Sequence, residues 1–119
     1  MKFFALACAV ATVLAAAPAL AKCKTVVKVA GGDDSQTQMP QMKADGCTHS
    51  FAVAARANPV EASIVAKPAH GILDRVGATT FAYFPQAGYR GTDSYEIRVC
   101  GAAGSGTGCT TVSFEATIR

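Results

Sequence analysis

The chain has 119 residues, 50% of them hydrophobic and 16% charged, with 11 Lys and Arg, 8 Asp and Glu and a formal net charge of +3. That length holds one domain with a modest core. The basic residues are scattered, as in Lys67, Arg75, Arg90 and Arg98, with no aromatic platform among them, which argues against nucleic acid as a partner.

Lys2 is followed by an apolar run over residues 3–17, then Pro18 and the small-residue ending Ala19-Leu20-Ala21. These are the three parts of a secretory signal peptide over residues 1–21, with the cut after Ala21 and a mature domain over residues 22–119. The run falls short of the roughly 20 apolar residues that span a bilayer core, and no later segment approaches it, so no membrane insertion is expected. Leu20-Ala21-Lys22-Cys23 approximates a lipoprotein signal, but Lys22 stands where a small residue is needed. The expected address is secreted or periplasmic.

Cys8 leaves with the signal peptide, and Cys23, Cys47, Cys100 and Cys109 remain. Four cysteines in a short exported chain indicate two disulfides, with three pairings open by arithmetic. A zinc site is the competing use. There is no Cys-x-x-Cys or His-x-x-x-His pair, and His49 and His70 are isolated, so no metal is expected.

In chain order, residues 24–30 are short and β-branched and stop at Gly31-Gly32-Asp33-Asp34, which predicts a strand and a turn. Residues 35–46 are polar and contain Met39-Pro40, which predicts a loop with at most a short edge segment. From Cys47 the pattern alternates, with His49, Phe51 and Val53 on one side, as in a half-buried strand; His49 is expected to be a core histidine. The Ala-rich residues 52–57 have helical propensity, but they are uncapped and run into Asn58-Pro59, so a turn is preferred. Residues 60–66 predict a strand, His70-Gly71 a tight turn, residues 81–85 an aromatic strand and residues 86–93 a long turn.

The last two strands are the clearest. Tyr95, Ile97 and Val99 alternate with polar neighbours, as do Val112, Phe114, Ala116 and Ile118. Placing Cys100 opposite Cys109 sets Ile97 against Val112 and Tyr95 against Phe114 on one face, with Glu96 against Ser113 and Arg98 against Thr111 on the other. One register therefore predicts both the hairpin and the Cys100–Cys109 bond, and Cys23–Cys47 follows by exclusion. About seven short strands with frequent turn signals predict an all-β antiparallel sandwich, with a small barrel as the alternative.

Three motifs in order, Pro68-Ala69-His70-Gly71-Ile72-Leu73, Phe81-Ala82-Tyr83-Phe84-Pro85 and Gly88-Tyr89-Arg90-Gly91-Thr92-Asp93-Ser94-Tyr95, resemble the cadherin-like and immunoglobulin-like repeats of bacterial surface proteins. The resemblance covers residues 68–118, about half of the mature chain. It implies an immunoglobulin-like fold in which Tyr95 packs at the sandwich corner with its hydroxyl on a backbone partner. On physical grounds Gly71 and Gly91 suit turns that need positive φ, and Asp93 suits bonds to backbone amides of the turn before its strand. Pro68, His70, Gly71, Gly91, Asp93 and Tyr95 are thus fold residues. The sequence departs from the family in carrying one copy instead of tandem repeats and in lacking the family's calcium runs; Asp33-Asp34 is only a weak candidate for calcium.

No nucleophile motif accompanies His70 and Asp74, so no catalytic residues and no cofactor are expected. Tyr83, Tyr89 and Arg90 are the candidate binding residues, being aromatics and an arginine near a loop. The expected function is an exported, non-catalytic binding or adhesion module for a protein or glycan at the cell surface. The alternatives are a self-associating envelope or matrix protein and a small hydrolase inhibitor presenting the glycine-rich residues 101–108.

Overall fold

The computed structural model describes residues 23–29, 34–53, 61–101 and 108–119. The expected signal peptide, Asp33, the turn expected at Asn58-Pro59, the Ala-rich residues beyond Val53 and the glycine-rich residues 102–107 lie outside the described residues. Every element among the described residues is a strand: β1 (Cys23–Val29), β2 (Asp34–Gln38), β3 (Gln41–Met42), β4 (Cys47–Val53), β5 (Glu61–Ala66), β6 (Gly71–Gly77), β7 (Thr80–Pro85), β8 (Gly91–Gly101) and β9 (Gly108–Ile118).

Two sheets form. One has the order β1-β4-β7-β6, and the other β2-β9-β8-β5 with β3 also on β9. The β8–β9 hairpin takes the register that alternation requires, with Cys100 opposite Cys109, Ile97 opposite Val112 and Tyr95 opposite Phe114. Both disulfides are present, Cys23–Cys47 with Cα atoms 4.5 Å apart and Cys100–Cys109 at 4.0 Å. Such bonds belong to an oxidising compartment.

The expected wholly antiparallel sandwich needs correction at one flank, where β1 runs parallel to β4 and β2 and β3 run parallel to β9. Residues 35–46 supply two strands, separated at Met39-Pro40, where the expectation was a loop. Pro40 is accommodated because β2 and β3 form an edge, where its missing N–H breaks no ladder on the outer side. Its carbonyl still accepts from Thr117 N at 2.9 Å. His70-Gly71 and residues 91–93 are likewise less turn-like than expected, since Gly71 opens β6 and Gly91 opens β8.

The sheets face each other across one core. Val27, Val29, Phe51, Leu73, Phe81 and Tyr83 come from the first sheet, and Tyr95, Ile97, Val99, Val112, Phe114 and Ile118 from the second. Phe114 sits at the centre, its ring 4.1 Å from His49 and 6.3 Å from Phe51 across the interface and 5.1 Å from Tyr95 beside it. Burying a side chain of that size contributes up to ~3 kcal/mol, so the layers are joined mainly by their inward aromatics.

Candidate functional site

The three motifs converge on Asp93, which β8 turns inward at one end of the sandwich. Its Oδ1 accepts from Ala69 N and Ser94 N, each at 3.0 Å. Its Oδ2 accepts from His70 N at 3.0 Å and from the Tyr83 hydroxyl at 2.5 Å. Ala69 and His70 lie in the link that leaves Pro68 and carries the chain from β5 in one sheet to β6 in the other. Asp93 is only 4% exposed, and four donors surround it as the burial of a carboxylate demands. The amides it binds are those of a link more than twenty residues upstream, together with Ser94, instead of those of the turn just before its own strand.

Tyr83 completes this knot and leaves the surface. It is 0% exposed, its ring stacks on Tyr95 at 4.7 Å, and burial first, then the Asp93 hydrogen bond and charge, push its hydroxyl pKa up. Its side chain therefore lies in the interior and not on the surface expected of a binding residue. An aromatic in an alternating strand serves the core as readily as a surface.

Gly71 is required for a different reason from the one its turn-like context gave. Positive φ occurs at Gly46, Gly88 and Gly91 among the described residues, and not at Gly71. A Cβ on Gly71 would lie 2.5 Å from Tyr83 Cε2 and 2.6 Å from the Phe84 carbonyl oxygen. The glycine lets the Tyr83 ring lie against the backbone. Gly91, with φ +137°, does have the geometry that favours glycine.

Tyr89 and Arg90 stay near the surface. The Tyr89 ring stacks on the exposed His70 imidazole at 4.2 Å with 6° between the planes, and its hydroxyl donates to the Thr92 carbonyl. Both rings thus brace the loop as well as facing solvent. Arg90 is exposed.

A second polar knot lies deeper. His49 is 0% exposed, with Nδ1 at 2.6 Å from Thr25 Oγ1 and Nε2 at 2.5 Å from the Tyr95 hydroxyl. The Tyr95 hydroxyl therefore ends on an imidazole from the facing sheet, not on the backbone partner that the family resemblance implied. Burial lowers the His49 pKa to about 4 and raises that of Tyr95. No buried side-chain polar atom among the described residues lacks a partner, and no three His, Cys, Asp or Glu side chains among them are grouped to hold a metal ion. Asp93, through Tyr83, and His49, through Tyr95, each tie one sheet to the other.

The outer face of the β6–β7 hairpin is different. Ile72 and Phe84 face each other across the ladder and stand 62% and 48% exposed. Beside them lies an open depression of about 540 Å³, lined by Ala69, Gly71, Ile72, Phe84, Pro85 and Ala87 among others. The signal for this surface was present in the sequence: with Leu73 and Tyr83 inward, alternation leaves Ile72 and Phe84 as large apolar residues pointing out.

No protein-family model matches the chain, and comparison with curated proteins finds no similar one.

Proposed function

We propose that this is an exported, non-catalytic binding or adhesion module of the immunoglobulin-like, cadherin-like kind, which holds a protein or glycan against the outer face of β6 and β7. The observation that carries the reading is the Ile72–Phe84 pair, exposed beside a depression on a sheet whose buried polar side chains, among the described residues, all have hydrogen-bond partners. An apolar cross-strand pair on a rigid sheet costs little entropy to bring to a partner. Tyr89, stacked on His70, and Arg90 border the same end and supply the polar and aromatic rim that recognition surfaces favour. The ordered motifs converging on Asp93 and the inward Tyr95 support the immunoglobulin-like assignment. The signal peptide and the two disulfides support export.

The test is retention of immobilised glycans and envelope proteins by the purified exported protein, alongside Phe84→Ser and Ile72→Ser. Loss of retention in both variants, with thermal midpoints unchanged, supports the site. A ligand held equally by the double variant places the site elsewhere.

A further inference from the structure

We infer that copies of this chain assemble side by side, with β6 of one copy adding to β1 of the next. This goes beyond the ligand reading, since it rests on strand edges and, of the side chains it pairs, shares only Ile72 with the depression beside Phe84. Among the described residues β1 and β6 are the two outer strands of their sheet. Edge strands present unpaired backbone donors and acceptors that another strand can use.

The strand directions allow it. β1 is parallel to β4, β4 antiparallel to β7, and β7 antiparallel to β6, so β1 and β6 point the same way. In the other sheet β2 is parallel to β9, β9 antiparallel to β8, and β8 antiparallel to β5, so β2 and β5 also agree in direction. The Gln36 side chain, reaching the Lys28 carbonyl at 3.0 Å, places β1 and β2 on one flank. Residues 67–70, joining β5 to β6, place those strands on the opposite flank. A neighbour displaced sideways, with the usual sheet twist, brings β1 against β6 in a parallel ladder and β2 toward β5. The same displacement repeats, so the contact is head-to-tail and propagates.

The outward side chains fit in one register. On β1 they are Lys24, Val26 and Lys28, with Val26 70% exposed; on β6 they are Ile72 and Asp74 before the irregularity between Arg75 and Gly77. Setting Ile72 beside Val26 sets Asp74 beside Lys28, an apolar pair next to an ion pair on the same face. Among the described residues neither the Asp74 carboxylate nor the Lys28 ammonium has a partner. Pairing β6 with its own copy is disfavoured: antiparallel pairing that keeps the outer face outward and centres on Asp74 opposes two like charges. The charges therefore select β1 over a second β6.

Sedimentation velocity of the disulfide-intact exported protein over a concentration series tests this. The wild type is expected to assemble as concentration rises. Asp74→Lys and Lys28→Asp should each raise the concentration of half-assembly about tenfold, and combining them in one chain should restore it. Both sites are exposed, and unchanged thermal midpoints verify the fold; Asp74→Asn and Lys28→Gln replace the reversals if these unfold the chain. A wild type that stays monomeric throughout, assembly indifferent to Asp74→Lys, or a double variant as weak as the singles overturns the proposal. Retention of a ligand by monomeric Asp74→Lys would separate this contact from the binding surface around Phe84.

Discussion

Two polar knots cross the interior, one around Asp93 and the other around His49, and they are put together differently. Asp93 gathers backbone amides and a hydroxyl around a carboxylate, so every partner is a donor. His49 sits between two hydroxyls, Thr25 from β1 and Tyr95 from the facing sheet, and this arrangement stands while the imidazole is neutral. The first knot is at the rim, where a link must cross between sheets, and the second is deep, where uncharged groups cost less to bury. Placement by depth thus decides which chemistry can join the layers.

The largest expected effect breaks the Asp93 knot. Asp93→Ala leaves the Ala69 and His70 amides and the Tyr83 hydroxyl without their acceptor, at ~1–3 kcal/mol for each group that stays buried. A total loss of ~3–5 kcal/mol is expected in urea unfolding, and loss below 1 kcal/mol would show that water replaces the carboxylate easily. Next, replacing Cys23 and Cys47 together by Ala removes the bond that holds β1, and with it Thr25, beside His49. The chain-entropy model gives ~3.5 kcal/mol for a loop of this length, and for Cys100 and Cys109 ~2.7 kcal/mol, so the order of the two midpoints is the measurement.

The third tests the His49 knot by pH. With a folded pKa of about 4 against 6.5 for free histidine, the His49 contribution is fully present above pH 6.5. It is lost as pH falls toward 4, by ~3 kcal/mol in all. His49→Gln should flatten the stability slope between pH 6.5 and 4.5; a slope equal to that of wild type would show that His49 does not carry the acid sensitivity. The smallest concerns glycine. Gly71→Ala should cost ~1–3 kcal/mol by pushing on Tyr83 and the Phe84 carbonyl, whereas Gly88→Ala, with nothing within 4 Å of its Cβ, should cost ~1 kcal/mol from positive φ alone. Equal midpoints for the two variants would deny the close approach of Tyr83.

These knots were unequally legible in the sequence. The Asp93 knot left a trail because its parts are local signals, Pro68 and Gly71 in one segment and Gly91 and Asp93 in another. That the segments meet at one carboxylate became clear only when the link between sheets was placed. For His49, alternation gave its face and burial, but its partner Tyr95 lies 46 residues away, and periodicity gives the side of a strand without naming its neighbour. The same limit explains β1 against β4, since parallel and antiparallel neighbours leave one alternation. The β8–β9 hairpin was readable to the residue because two long alternations and two cysteines allow a single register. β2 and β3 were hidden by their polar composition, which suits an edge as well as a loop. The outward Ile72 and Phe84 carry no motif, since alternation marks them as solvent-facing only once Leu73 and Tyr83 are known to face inward.

The Cys100–Cys109 bond closes the base of the β8–β9 hairpin and leaves residues 102–107 between its two ends. A protease that cuts there separates no fragments: β9, which fills the centre of its sheet, stays covalently joined to the rest of the chain. The cut protein should show the mass of the whole plus one water and divide into two pieces only after reduction.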